Sequence, residues 1–557
     1  MSQEGTTTVY NDDLIIELKP FPGASADVGT TESFAEVAEA RFPMEEYTNP
    51  WDKAHQLKRN NPGAVGYVEP DIENLYKFKT QYDNLTENES FTTADPCSLF
   101  NGYDDDWPFP ADDASKPLDQ VWHLGEKFSQ LKLARDEVKN TNNVIRIAHF
   151  DTGYDPSHIC YADNLIRHDL ERNFVETKTS RSAVDKYSEG PLRMPGHGTG
   201  TLSILAGAVL DLPNYEFKDS IGLNYNIEIV PVRVSKSVIL FKNTAFAEAL
   251  DYIISLNDDP SKRCHIVTMS MGGAASKHWA EKVNEAYEKG IFIVTAAGNN
   301  FGRSTPRTLV YPARFNRVVA ACGVTYDYSP YYKSFNVWDL KVMQGNFGPR
   351  RFMKTAIAAF TPNVPWAKIG CRNVISLSGA GTSSATPQVA SAAALYYQKY
   401  YAELEALPEP WMKVETLREA MFSTALKKIS GPDNDIEIYF GNGILQANEM
   451  LKVAPSAVKP QKAERDKVFL PLLFQVLSEL SPFEAADKTD EDTREMFETE
   501  LLQLIQDSAT LQRLLKDEEK SLDELRPDEQ LQFFNVVLAM PQASETLKKY
   551  IRKKLGA

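Results

Sequence analysis

Long apolar runs are missing from this chain. No uninterrupted apolar stretch reaches the roughly 18 residues that a bilayer-spanning helix needs, so no membrane partner is expected. Net positive charge is missing too: 60 Lys and Arg stand against 77 Asp and Glu, a formal −17. That balance excludes broad electrostatic attraction to nucleic-acid phosphates or to anionic lipid, so no nucleic-acid partner is expected. Cysteine is scarce. Cys97, Cys160, Cys264, Cys322 and Cys371 are widely scattered, form no CxxC pair and cannot all pair within one chain, so free thiols are expected. Met1 to Asn11 has no basic stretch followed by an apolar one, which gives a cytoplasmic location as the expectation. The sequons Asn84-Leu85-Thr86 and Asn88-Glu89-Ser90 are accordingly given no role. There is also no internal repeat and no long low-complexity tract, so boundaries must come from composition.

What is present is enough apolar residue, 42% over 557 positions, for a large core spread over several domains. Residues 1–76 read as a small α+β unit. Leu14 to Leu18 makes a strand, the spacing of Ser33 and Glu36 ahead of Phe34, Val37, Ala38 and Phe42 predicts a helix, and a second helix covers Trp51 to Lys58. Asn61-Pro62-Gly63 then turns the chain into the alternating segment Ala64 to Glu69. Residues 77–117 are rich in Asp, Asn, Ser, Thr and Pro and read as an exposed connector. From 118 to 456, strand-like runs (Val144 to Phe150, Ile227 to Val234, His265 to Ser270, Ile291 to Ala296, Val318 to Val324) alternate with helical patterns. This predicts an α/β unit with a parallel sheet covered by helices on both faces. Residues 457–557 show helical faces at Val468 to Leu480, at Met496, Leu501 and Ile505, and at Leu531, Phe534 and Leu538, which predicts an all-α bundle.

Three segments fall where strands of such a sheet should end, and ligand and catalytic groups in open α/β folds gather there. Val144 to Phe150 runs into Asp151-Thr152-Gly153; alone, an Asp closing a strand is most simply a turn former. Gly196-His197-Gly198-Thr199-Gly200 places an imidazole between glycines, where other groups can approach its ring, ahead of the apolar helix Leu202 to Leu210. Gly381-Thr382-Ser383-Ser384-Ala385-Thr386-Pro387 opens a helix rich in alanine, with the proline expected in its first turn and the dipole aimed at whatever attaches to Ser383 Oγ.

Asp, then His, then Ser is one of the known chain orders of serine hydrolases. In these three motifs residues 118 to 455 resemble the subtilase family of serine peptidases. The resemblance implies Asp151, His197 and Ser383 as the catalytic residues of an endopeptidase acting on a peptide or protein substrate through an acyl-enzyme. A fourth segment, Ala296-Ala297-Gly298-Asn299, implies Asn299 as the side-chain donor to the oxyanion. Met269-Ser270-Met271-Gly272-Gly273 resembles the family segment that pairs with extended substrate, which implies Ser270, Met271 and Gly272 as substrate-binding residues. Tyr311-Pro312-Ala313 resembles the border of the main specificity pocket. The preceding position, often Gly at the pocket floor, is Val310, which implies poor acceptance of large aromatic side chains.

The chain departs from the family at Ser384, where Met is common, and at Gly200, where His is often found. His158-Ile159-Cys160 stands where many relatives have His-Pro-Asp, with the Asp binding calcium. Cysteine suits that ion poorly, so no metal site is assigned, calcium elsewhere in the chain stays open, and no cofactor is expected.

Ala64-Val65-Gly66-Tyr67-Val68-Glu69-Pro70-Asp71 resembles the closing strand of the subtilase inhibitory propeptide. By that resemblance residues 1–76 are a ferredoxin-like chaperone and inhibitor, the chain's own partner, with a self-cleavage site after Tyr76 or within Lys77 to Lys116. The C-terminal helices match no enzyme pattern and read either as a stabilising appendage or as a docking module for a protein regulator. Two other readings of the whole remain: a peptide cyclase or ligase using the same acyl-enzyme, and a self-processing binding protein with little activity in trans.

Overall fold

A computed structural model describes residues 7–18, 37–41, 49–75, 97, 106–107, 111–113, 116–117 and 120–555, except 177–179, 187–193, 213–216, 224, 239–241, 302–306, 334–341, 428–434, 469–475 and 477–489. Near the N-terminus, β1 (Thr7–Leu18) is flanked by β2 (Val37–Arg41) and β3 (Val65–Leu75) in an antiparallel sheet of order β2-β1-β3. Helix α1 (Pro50–Asn60) packs on it; the Asn49 side chain caps the helix by accepting from the Trp51 amide at 2.9 Å, and Pro50 takes the first position. The helix predicted across 33–42 is contradicted where the structure describes it, at Val37–Arg41. Ser33, Phe34 and Glu36 lie outside the described residues, and Val37–Arg41 is a strand whose register pairs Leu14 with Ala40 and Ile16 with Ala38. An open edge of β1 offers a row of backbone partners, and pairing with it overrides the local helical pattern.

Seven parallel strands form the central sheet: β4 (Ile145–Asp151), β5 (Arg172–Asn173), β6 (Ile227–Arg233), β7 (Ile266–Met269), β8 (Phe292–Ala296), β9 (Val319–Val324) and β10 (Ala356–Phe360), in the order β10-β9-β8-β7-β4-β6-β5. β5 and β10 are not legible in the sequence: the first has two residues, and Ala356-Ile357-Ala358-Ala359 has a single β-branched residue among alanines. Both faces of β4 are covered. Ile145 and Ile147 share a core with Val389 and Leu395 of α5 (Gly381–Lys399), while Ala148 and Phe150 pack with Phe246 and Leu250 of α3 (Asn243–Ser255) and Trp279 of α4 (Lys277–Glu288). The chain leaves β4 for β5 and then β6 on one side and returns to β7 on the other, so the carboxyl end of β4 is a topological switch point.

Every residue of α5 from Gly381 to Gln398 is buried, which its alanines and serines permit. Pro387 sits inside this helix rather than in its first turn. Lacking an N–H, it leaves the carbonyl four residues back, that of Ser383, without its helical partner. Ser270 Oγ donates to that oxygen instead, at 2.9 Å.

Towards the C-terminus, α6 (Glu491–Asp507), α7 (Pro527–Ala539) and α8 (Glu545–Leu555) pack on both preceding units. Leu501, Leu504, Ile505 and Phe533 join the core that holds Trp279, Val283 and Phe315. Met496 joins Leu14, Ile16, Trp51, Tyr67 and Val68 in the N-terminal core. Of the helical face expected at 468–480, Val468 and Val476 are buried, whereas Leu472, Leu473 and Leu480 lie outside the described residues.

Cys97 and Cys371 form a disulfide, which corrects the expectation of free thiols for that pair; Cys160, Cys264 and Cys322 are free and buried. Wide separation in sequence hid the pair, because the fold and not the chain brings them together. Alkylation of the denatured protein without reductant is expected to tag three thiols, and after reduction all five. Five tags without reductant would contradict the pairing.

Candidate active site

The strand that carries Asp151 and the helix that carries His197 meet because the residues between them are small. A Cβ on Gly198 would fall 2.0 Å from the Gly153 carbonyl oxygen and 3.0 Å from Asp151 Cβ, so only glycine lets α2 (His197–Ala206) rest on the end of β4. The Gly198 amide also donates to Thr152 Oγ1 at 3.1 Å. With the backbones this close, His197 Nδ1 and Asp151 Oδ1 are 2.7 Å apart, both side chains almost wholly buried. Burial alone raises the Asp151 carboxyl. The facing His197, the nearby His149 and the Thr152 amide outweigh it and hold the group below its ordinary value.

Asp151 has a second set of partners that the sequence reading missed. Thr201 Oγ1 donates to Asp151 Oδ2 at 2.9 Å, and His149 Nε2 lies 2.8 Å from the same hydroxyl. Since the threonine proton is committed to the carboxylate, His149 is the donor at Nε2. Burial depresses the His149 pKa to about 4, so this imidazole is neutral. The missed signal was period two: His149 lies two residues before Asp151 on one strand, hence on the same face.

Ser383 lies in the first turn of α5, which packs against α2. Its hydroxyl donates to the Ser270 carbonyl at 3.2 Å, and Ser270 Oγ donates back to the Ser383 carbonyl. Asn299 is fixed beside it. The Asn299 Oδ1 accepts from the Thr382 amide at 2.9 Å and from Thr382 Oγ1 at 3.2 Å, which sets the amide's orientation. Gly381, at φ +75°, allows the approach: a Cβ there would fall 2.9 Å from Asn299 Nδ2.

Met271 is buried, and Gly272 and Val310 touch. A Cβ on Gly272 would lie 2.0 Å from Val310 Cγ2, and one on Gly298 would lie 3.0 Å from Val310 Cγ1, so the valine methyls wedge between two glycine backbones. Gly273 forms an antiparallel bridge with Tyr311. The fold thus brings Ser270, Met271, Gly272, Val310, Asn299 and Ser383 into one neighbourhood.

Both departures from the family pattern have local causes. A Cβ at Gly200 would fall 1.8 Å from Trp366 Cε2; the indole fills the space a histidine would need, and its ring lies 5.5 Å from that of His197. Ser384 Oγ donates to Thr361 Oγ1 at 2.8 Å, a polar anchor in place of a thioether. At the position compared with a calcium ligand, burial pushes the Cys160 thiol well up, and a neutral thiol is no ligand for a hard cation. No cluster of three or more His, Cys, Asp or Glu that could hold a metal occurs among the described residues.

The Gly200→His substitution is expected to lower stability by about 1 to 3 kcal/mol through overpacking, read from the denaturation midpoint. Combined with Trp366→Ala it should cost less than the sum of the two single changes. Additive effects would show that the indole and position 200 do not share this space.

The model of the subtilase family matches residues 142–443, more than half of the chain. Subtilisin DY of Bacillus licheniformis is 25% identical over 251 residues, 45% of this chain and 75% of its own length. A subtilisin of Bacillus pumilus is 24% identical over 306 residues, 55% of this chain and 90% of its own. Against subtilisin E of Bacillus subtilis the identity is 25% over 264 residues, and only 57% of that relative's length is spanned. Among solved structures, the prenylagaramide maturation protease PagA aligns at a TM-score of 0.40 and 20% identity, covering 58% of this chain and 98% of that one. By the family match, with the seven-stranded parallel sheet beneath it, the chain belongs to the subtilase family of serine peptidases.

Proposed function

We propose that this chain is a serine endopeptidase that uses Asp151, His197 and Ser383 and is held in check by its own N-terminal unit. The observation that carries the reading is the 2.7 Å contact between His197 Nδ1 and a buried Asp151, set beside a serine at a helix N-terminus and an oriented Asn299 amide. Ser383 Oγ has a single proton, now donated to the Ser270 carbonyl. General-base catalysis requires that proton to pass to His197 Nε2 as the oxygen attacks a peptide carbonyl. Asp151 keeps the imidazole in the tautomer with Nδ1 protonated and stabilises its cation. The oxyanion takes hydrogen bonds from the Ser383 amide and from Asn299 Nδ2, a contribution worth about 100- to 1,000-fold in rate per donor. His197 then returns the proton to the leaving nitrogen as the C–N bond breaks, and water resolves the acyl-enzyme by the same steps in reverse. Every proton moves between the chain, water and substrate, so no step calls on a metal or cofactor.

The inhibitory reading is supported by how β3 meets the catalytic unit. Asp71 Oδ1 accepts from the Thr244 amide at 3.1 Å at the start of α3, and Asp71 Oδ2 accepts from Thr244 Oγ1 at 2.8 Å. Glu69 accepts from Ser276 Oγ at 2.7 Å and from the Lys277 and His278 amides at the start of α4. Two carboxylates thus satisfy the orphan amides of two helix N-termini. For the C-terminal helices we favour the stabilising role over a docking module, because their apolar faces are already covered by the other two units. For location, the Cys97–Cys371 bond favours an oxidising compartment over the cytoplasm expected from the N-terminal sequence.

Wild-type protein is expected to shorten on expression and to be labelled by a fluorophosphonate, while Ser383→Ala stays full length and unlabelled. An unlabelled wild type, even after proteolytic trimming of the N-terminal unit, would contradict the peptidase reading. The Val310 wedge supports a preference for small residues before the scissile bond. Val310→Gly is expected to raise kcat/KM for a Phe substrate relative to an Ala substrate by at least about tenfold, the scale of one or two methylenes in such a pocket. An unchanged ratio would remove Val310 from the pocket.

A further inference from the structure

Three consecutive residues with side chains, Lys516, Asp517 and Glu518, have φ of 50°, 55° and 63°. A run of left-handed non-glycine residues is sparsely populated and persists only where its surroundings over-determine it. Here the run makes a hook that carries Glu518 out of the C-terminal helices and into the catalytic unit.

The hook lands on the segment around Val310. Glu518 Oε1 and Oε2 accept from Arg314 Nη2 and Nη1, each at 2.8 Å, with both side chains buried. Glu518 Oε1 also accepts from Thr308 Oγ1 at 2.9 Å, and Gln512 Nε2 donates to the same hydroxyl at 3.0 Å. Next to it, Asp517 accepts from Arg307 Nη2 at 2.6 Å, and Glu519 accepts from the Arg350 amide at 3.0 Å. Arg314, held by Glu518, donates through Nε to the carbonyl of Leu309, the residue before Val310. On the other side the Thr308 carbonyl accepts from Asn346 Nδ2 at 2.8 Å, and the Asn346 backbone N–H donates to the Gly298 carbonyl at 2.8 Å, one residue from Asn299.

From this we infer that Glu518 is a positioning residue for substrate selection: acting through Arg314 and Thr308, it fixes the Thr308–Tyr311 backbone and so the depth at which Val310 closes the pocket. The inference rests on the peptidase reading and gives the C-terminal helices a direct part in specificity. A bidentate guanidinium–carboxylate pair fixes direction as well as distance, which an apolar contact there could not do. Breaking it leaves Arg314 buried without its counter-charge, and the Leu309 carbonyl loses a fixed donor.

The test compares wild type with Glu518→Gln in the full chain, both activated by trimming of the N-terminal unit. Fluorophosphonate labelling of Ser383 reports the catalytic groups, and the ratio of kcat/KM for Ala and Phe substrates reports the pocket. Glu518→Gln is expected to remain labelled while its Ala-over-Phe selectivity falls by about tenfold or more, on the scale that a methylene-sized change in a pocket produces. Labelling at the wild-type rate with selectivity unchanged within twofold overturns the inference and leaves the peptidase reading intact. An unlabelled wild type overturns both. Should Glu518→Gln fail to fold, Thr308→Val, which removes the hydroxyl that binds Glu518 and Arg314, is held to the same criterion: lowered selectivity supports the inference and unchanged selectivity overturns it.

Discussion

The site depends on how closely one helix can approach the end of one strand. β4 ends at the switch point of the sheet, the place where open α/β folds bind their ligands. Gly198 lets α2 descend until its first residue meets the last residue of that strand. Any side chain at position 198 would strike the Gly153 carbonyl and lift His197 from Asp151. The 2.7 Å contact is therefore a consequence of backbone packing, and its two groups are held by the core rather than by each other. The same logic recurs at α5. Pro387 frees the Ser383 carbonyl, Ser270 takes it, and the segment expected to bind substrate becomes tied to the turn that carries the serine.

The central sheet was legible because its strands are buried on both faces and so appear as largely apolar runs with few polar interruptions such as Arg146, His149 and Glu228. The runs at 144–150, 227–234, 265–270, 291–296 and 318–324 each correspond to a strand within a residue or two. What escaped was whatever the chain does not encode locally. Val37–Arg41 carries a helical pattern but pairs with β1, and Ala356–Phe360 reads as alanine-rich until its neighbour is known. In the site, motifs announced Asp151, His197, Ser383 and Asn299 because each sits in a short stretch of fixed glycines. His149 and Thr201 carry no such frame; only the facing of β4 and α2 brings them to the carboxylate. The disulfide and the Glu518–Arg314 pair join residues hundreds of positions apart and leave no mark on local sequence.

The C-terminal helices share cores with both other units and tie them together. They reach the N-terminal unit through Trp51 Nε1 donating to Gln503 at 2.8 Å, Lys58 donating to Asp492 at 2.6 Å and Tyr67 donating to Thr499 at 3.0 Å. They reach the catalytic unit through Gln503 and Gln506 on the backbone of Ala275, and through the hook on Thr308 and Arg314. One unit thus grips both the strand that caps α3 and α4 and the segment from Thr308 to Arg314. Acidic side chains serve as the fasteners at several of these junctions, which is one use the chain makes of its negative balance.

The account is tested most directly by the rate at which Ser383 reacts with a fluorophosphonate in wild type and in Asp151→Asn. If the buried carboxylate sets the tautomer and the charge of His197, the asparagine variant should react about 10,000-fold more slowly while keeping its fold. Equal rates in a folded variant would mean that the Asp151–His197 contact does not activate the serine.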